Sequence, residues 1–309
     1  MVPELAEFPS YMDKLDERET SPRSPLAAAP ALAVQFFLIP LTVVAVTVTV
    51  YVGFRSLLAD DRSPKEYLAE IRNGGSDRRW PAAYELSRLM ADPKVRADKT
   101  LAPALVKAFQ ESKNDPDVRR YLALAIGRLD PPLPADAVAD LAHALDDPDS
   151  QTRISVIWAL GSSGDEAVVS RLLPLYHAPD TDAGIRKMVV YALGALPGDT
   201  QIDTLRTALQ DAAPDVRWNA AVALARHGRG EGTAVLREMI DRAYVERTVK
   251  RDVRQDDDQD PIADVMISGI RAGAAIKDAS LRPAIETLSQ QDRSMKVRQA
   301  ALDALKVIG

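Results

Sequence analysis

The sequence predicts an all-α protein: a single transmembrane helix followed by an α-solenoid of about seven helical hairpins. Three observations predict it. Residues 24–54 contain no Asp, Glu, Lys or Arg. Beyond them an arginine recurs at Arg79, Arg119, Arg153, Arg186, Arg217 and Arg298, each followed seven residues later by Leu or Ile. That period, between 31 and 40 residues over the first five, marks a repeat of one supersecondary unit. No strand-like alternation appears after the uncharged run, so helical spacing is the only periodicity left.

The chain divides into four segments on this reading. Residues 1–34 form an acidic tail with five prolines and six acids against three bases. Residues 35–54, from Gln35 to Phe54, form the membrane span. Twelve of those 20 residues are Phe, Leu, Ile or Val; at 1.5 Å per residue they cover a hydrocarbon core of roughly 30 Å. Insertion is worth about −4 to −7 kcal/mol before polar penalties, and Pro40 is expected to kink the helix. The acidic start and long apolar stretch argue against a cleaved leader. Residues 55–75 are a linker and leading amphipathic helix, and residues 76–309 are the solenoid. Arg55, Arg62, Lys65 and Arg72 after the span, against Arg18 and Arg23 before it, place the solenoid on the cytoplasmic side of a plasma (inner) membrane.

Within the solenoid each unit opens with an apolar first helix. Units one to five and seven carry the arginine; the sixth, residues 265–276, has Val265 in its place. Second helices are expected at 101–110, 135–145, 166–176, 201–209, 233–240 and 281–290. Asp115-Pro116-Asp117 and Asp147-Pro148-Asp149 read as an N-cap, a proline at the first helical position and a first-turn acid. Ser63-Pro64-Lys65-Glu66 reads as a capping box. Stacking the pairs buries a continuous core that no pair holds alone.

The acid, Val-Arg and Ala-rich pattern of Asp115…Val118-Arg119, Asp215-Val216-Arg217 with Ala220-Ala221, and Val297-Arg298 with Ala300-Ala301 resembles HEAT repeats, particularly the bacterial type shared with phycobilin lyases. The resemblance covers residues 63–309. It implies that each arginine pairs with an acid of a neighbouring repeat. It also implies many binding roles and specifies none.

Chemistry-bearing constellations are sparse. There is no cysteine, which removes disulfides and thiolate sites. His143, His177 and His227 fall in three different repeats, and the chain has no His-Glu dipeptide of the sort that iron-binding HEAT-repeat hydroxylases require. No metal site and no cofactor are expected. A formal charge of −6 argues against nucleic acid as a partner. Glycine-rich residues 228–232 and 161–165 read as turns. Residues 241–260 carry 12 charges in 20 positions and lengthen the fifth unit; they read as a solvated extension ending in an acidic loop, or as a contact for a partner.

The expected function is a membrane-anchored, non-enzymatic scaffold or adaptor that binds proteins on a concave surface lined mainly by the second helices. The bilayer is held through residues 35–54. Arg171, Arg206, Arg237, Asp241 and Tyr244 are the expected protein-binding positions. The alternatives are a constitutive structural subunit of a membrane transporter or envelope complex, and an enzyme like the phycobilin lyases, which the resemblance brings in.

Overall fold

A computed structural model describes residues 38–58, 62–179, 181–249 and 260–308. Every regular element among them is helical. The acidic tail and the Asp256–Asp258 run lie outside the described residues. The chain splits into two compact units, residues 1–61 and 62–309.

The first unit holds one described helix, α1 (Ile39–Leu58). No described helix is long and apolar enough to cross a membrane, which overturns the expected span, bilayer contact and single-pass membrane location. The reason lies in where the helix runs. Its charge-free part, from Ile39 to Phe54, covers ~24 Å at 1.5 Å per residue, short of a roughly 30 Å core, and Arg55 follows within the same helix. Pro40 is the second residue of this helix. Thr42, Thr47 and Thr49 each donate to the carbonyl four residues back.

The second unit begins with α2 (Pro64–Asn73), whose capping box is formed: Ser63 caps the Glu66 amide, and the Glu66 carboxylate accepts from the Ser63 amide at 2.6 Å. Seven first helices follow: α3 (Ser76–Leu89), α6 (Pro116–Gly127), α8 (Ser150–Gly161), α10 (Ala183–Ala195), α12 (Pro214–Arg226), α15 (Pro261–Ala275) and α17 (Met295–Ile308). A single turn, α4 (Pro93–Arg96), precedes the second helices, which are α5 (Leu101–Glu111), α7 (Ala135–His143), α9 (Val169–His177), α11 (Ile202–Ala208), α13 (Thr233–Ile240) and α16 (Arg282–Gln291). One further helix, α14 (Arg242–Thr248), interrupts the alternation.

The first helices pack against one another in sequence, from α3 to α17, whereas second helices touch their own row only sparsely. Small residues set the spacing of the first row. A Cβ on Gly161 would stand 2.7 Å from the Ala192 Cα, and one on Gly127 2.7 Å from the Ala159 Cα. Helices that approach this closely leave no room for a methyl group. The first row is therefore the tightly spaced one and the second row the looser.

Three of the six repeating arginines are ion-paired across units among the described residues, whereas Arg217 meets Glu238 of its own unit at 3.8 Å. Arg79 meets Asp115 at 3.1 Å, Arg119 meets Asp147 at 3.0 Å, and Arg186 meets Asp211 through two bonds of 2.8 and 2.9 Å. The acids stand four or six residues before the next unit's arginine, so each rung joins adjacent units. Asp147 is therefore a rung and not an N-cap: α8 starts two residues later than expected, capped by Asp149, whose carboxylate accepts from the Thr152 amide at 2.6 Å. The acid six residues before Arg186 is Asp180, outside the described residues.

The described part of the residue 241–260 extension is packed against the repeats rather than solvated throughout. Helix α14 buries Val245 completely. Its Arg242 grips Asp292 through bonds of 2.7 and 2.6 Å, and the Asp292 side chain is only 1% exposed. Asp292 stands six residues before Arg298, in the rung position, and its regular partner would be the arginine that Val265 replaces. Helix α14 thus supplies the missing guanidinium from outside the repeat.

Candidate functional site

The five residues expected to bind a partner do not converge. Arg171 is exposed on α9. Arg206 on α11 is tied to Glu231 at 2.6 Å and to Asp203 at 2.8 Å; the Glu231 hydrogen bond, then the Asp203 bond, hold its guanidinium above the ordinary arginine value. Arg237 on α13 donates to the Ser280 Oγ at 3.3 Å. Asp241 caps α14, accepting from the Tyr244 amide at 3.1 Å. Tyr244 is half-buried, and its hydroxyl accepts from Arg217 at 3.0 Å. The last two are brought together, one turn apart, as parts of the α14 joint.

An open groove of about 560 Å³ lies instead on the first-helix row, between α10, α12 and α15. The second helices were expected to line the binding surface; this groove is lined mainly by first helices, with Met239 of α13 and Thr248 of α14 beside them. Trp218, Val222 and Val265 supply apolar lining, with Tyr191 beside them. Trp218 is 6% exposed, and its indole N–H has no hydrogen-bond acceptor among the described residues. At one end, Lys187 pairs with Asp215 at 3.2 Å, and the Asn219 amide donates to the Asp215 carbonyl at 2.7 Å. At the other end the Arg226 guanidinium lies over the Tyr191 ring, 5.5 Å from its centroid.

The repeat carries this chemistry along the row. Tyr84, Trp158 and Tyr191 all stand five residues after their unit's arginine, and Arg88, Arg128 and Arg226 all stand nine after it. Positions equivalent in the repeat share a face, so the aromatics of α3, α8 and α10 line up on one face, with Leu124 of α6 and Val222 of α12 at the same position. Arginines stack along it: Arg88 over Tyr84 at 5.7 Å, Arg120 over Tyr121 at 4.8 Å and Arg128 over Trp158 at 5.7 Å. Burial lowers the Arg128 pKa. Each such contact is worth about 0.5–1 kcal/mol when exposed, enough to hold flat, donor-rich surfaces in place. Sequence reasoning passed over these residues. The available signal was that all three tryptophans, Trp80, Trp158 and Trp218, fall in first helices of a chain only 5% aromatic.

The three histidines remain apart. His177 is 3.4 Å from the Thr204 hydroxyl, and His227 lies 3.4 Å from the Leu193 carbonyl and from the Gln201 side-chain nitrogen. Among the described residues no three His, Cys, Asp or Glu side chains gather so as to hold a metal ion.

Residues 102–184 and 175–255 match the family described as HEAT repeats, and the chain carries HEAT repeats over that stretch. A protein named deoxyhypusine hydroxylase, from Phaeosphaeria nodorum, is 28% identical over 156 residues, 47% of each chain; the chain spans about half the length of that curated relative. Among solved structures, a designed armadillo repeat protein in complex with the peptide (KR)4 is 17% identical with a TM-score of 0.43, over 80% of this chain and 100% of that one. Human deoxyhypusine hydroxylase in complex with glycerol is 16% identical with a TM-score of 0.35, over 78% and 84%. The relative named for an enzyme overturns the expectation of a non-enzyme. That expectation read stacked hairpins as shape without reactivity, and a protein bearing an enzyme's name aligns with the same hairpins.

Proposed function

We propose that the chain is a protein-interaction scaffold whose docking surface is the first-helix face, centred on the groove between α10, α12 and α15. The observation that carries this reading is the groove itself: an apolar floor built on a nearly buried tryptophan, ringed by polar groups whose hydrogen-bonding capacity is only partly used. Aromatic and arginine side chains dominate the affinity of protein interfaces. The alternation of first and second helices makes the surface long and rigid, which suits an extended partner better than a small molecule. The second-row positions Arg171, Arg206 and Arg237 are peripheral on this reading.

The test compares partner capture by the wild-type chain, Val222→Glu and Arg171→Glu. Loss of capture in Val222→Glu at unchanged helicity, with Arg171→Glu retaining it, supports the reading. Capture that survives Val222→Glu refutes it. A second reading, an enzyme acting on a deoxyhypusine-bearing protein, takes its support from the relative named above. Turnover of that substrate by the purified chain is its direct test.

A further inference from the structure

The groove has two charged groups without counter-ions. The Arg226 guanidinium forms no ion pair and no hydrogen bond among the described residues; its one recorded contact is the Tyr191 ring. Asp264, also lining the groove, is exposed, and its carboxylate has no partner among the described residues. The other pair of charges, Lys187 and Asp215, neutralise each other.

The two unmatched groups lie at opposite ends. Arg226 is the last residue of α12, nine after Arg217; Asp264 stands in the first turn of α15, one before Val265. The first helices stack as equivalent repeats, so ten residue positions separate the two along the helix direction, ~15 Å at 1.5 Å per residue. Trp218, Val222 and Val265 lie between. An extended chain covers that distance in about four or five residues.

We propose that the groove takes an extended segment of a partner protein with an acidic side chain at Arg226, a basic one at Asp264, and apolar residues between them on Trp218 and Val222. The inference rests on the docking reading above and deepens it by giving the partner's charge pattern. An exposed arginine already held flat on an aromatic ring meets a carboxylate at low entropic cost. Asp264, with no cation of its own, favours the opposite charge at the far end.

The experiment selects a phage-displayed random peptide library on the purified full chain, with Ser268→Arg as the counter-selection. Ser268 is exposed and lines the groove, so its replacement blocks the groove without disturbing the core. Selected peptides are then made with a fluorescent label and titrated by anisotropy. The expected result is enrichment of peptides with an acid and a base flanking apolar residues. Arg226→Glu weakens such a peptide about fivefold or more, and replacing the peptide's acid by lysine restores the loss. Asp264→Lys does the same at the base. Groove-dependent peptides without this pattern, or with affinity indifferent to both reversals, overturn the proposal and leave the docking reading standing. A selection yielding no peptide sensitive to Ser268→Arg overturns both.

Discussion

Replacing Arg242 by leucine should loosen the end of the solenoid and nothing else. The guanidinium reaches Asp292 through two bonds of 2.7 and 2.6 Å, and the Asp292 side chain is 1% exposed. Breaking a buried pair from one side costs about 3–5 kcal/mol, because the remaining charge is left unmatched. Two features reduce that figure. The Ser294 amide still donates to the Asp292 carboxylate at 2.8 Å, and the Arg242 side chain is 17% exposed, so water enters the space it leaves. About 2–3 kcal/mol remains, which is roughly a 30- to 150-fold change in local opening at 1.4 kcal/mol per decade. In a stacked array each unit feels only its neighbours. Hydrogen exchange should therefore accelerate by that factor in α15, α16 and α17 and stay unchanged from α3 to α10. Arg242→Leu combined with Asp292→Leu should recover most of the loss, since an apolar pair of similar volume often matches a buried ion pair. Unchanged exchange in α15 to α17, or an acceleration spread evenly over every unit, refutes the reasoning.

Four further outcomes follow from the same geometry. Gly161→Val should cost about 1–3 kcal/mol by urea denaturation, since even a Cβ would sit 2.7 Å from the Ala192 Cα; an unchanged midpoint contradicts the close packing. Asp211 has its pKa lowered, chiefly by its hydrogen bonds to Arg186, so its contribution is present above the unfolded value near 4 and lost as pH falls through the folded one. Stability measured across pH 2–6 should fall at the acid end, less steeply in Arg186→Gln. Tyr176 is pushed up to about 12, first by burial and then by the Asp211 charge, so the stability it contributes, full below about 10, is lost as pH climbs towards 12. Gln201→Leu should cost about 1–3 kcal/mol, because the buried Gln201 side-chain nitrogen lies 3.1–3.3 Å from the carbonyls of Leu193, Leu196, Pro197 and Gly198. A thermal scan showing no loss excludes that role.

Much of the second unit was legible because its signals are local. Spacing, proline and capping acids mark the helix pairs to within a residue or two, as at α13, where residues 233–240 were expected and formed. Asp147 shows the limit: Asp-Pro-Asp offers two acids, and only the neighbouring unit's Arg119 decides that the first is a rung and the second the cap. Helix α14 was opaque for the same reason at longer range. Nothing near Arg242 in sequence points to Asp292, 50 positions away, and the clue was the gap left by Val265. The groove was missed because it lies between helices of three different units, α10, α12 and α15, whose spacing is set by contacts across unit boundaries such as Gly161 against Ala192. The uncharged stretch misled differently: absence of charge fixed a length in sequence, while the helix begins at Ile39 and carries Arg55.

The Gly–Ala contacts between first helices also decide how this array deforms. Backbone already rests on backbone along that edge, so compressing it is steeply resisted, and separating it forfeits contacts along whole helices. The opposite edge, with sparse contacts between its helices, yields at little cost. The array therefore flexes as a leaf spring bound on one side: a load is taken up by the second-helix edge fanning or closing, while the first-helix edge, with the groove upon it, keeps its length.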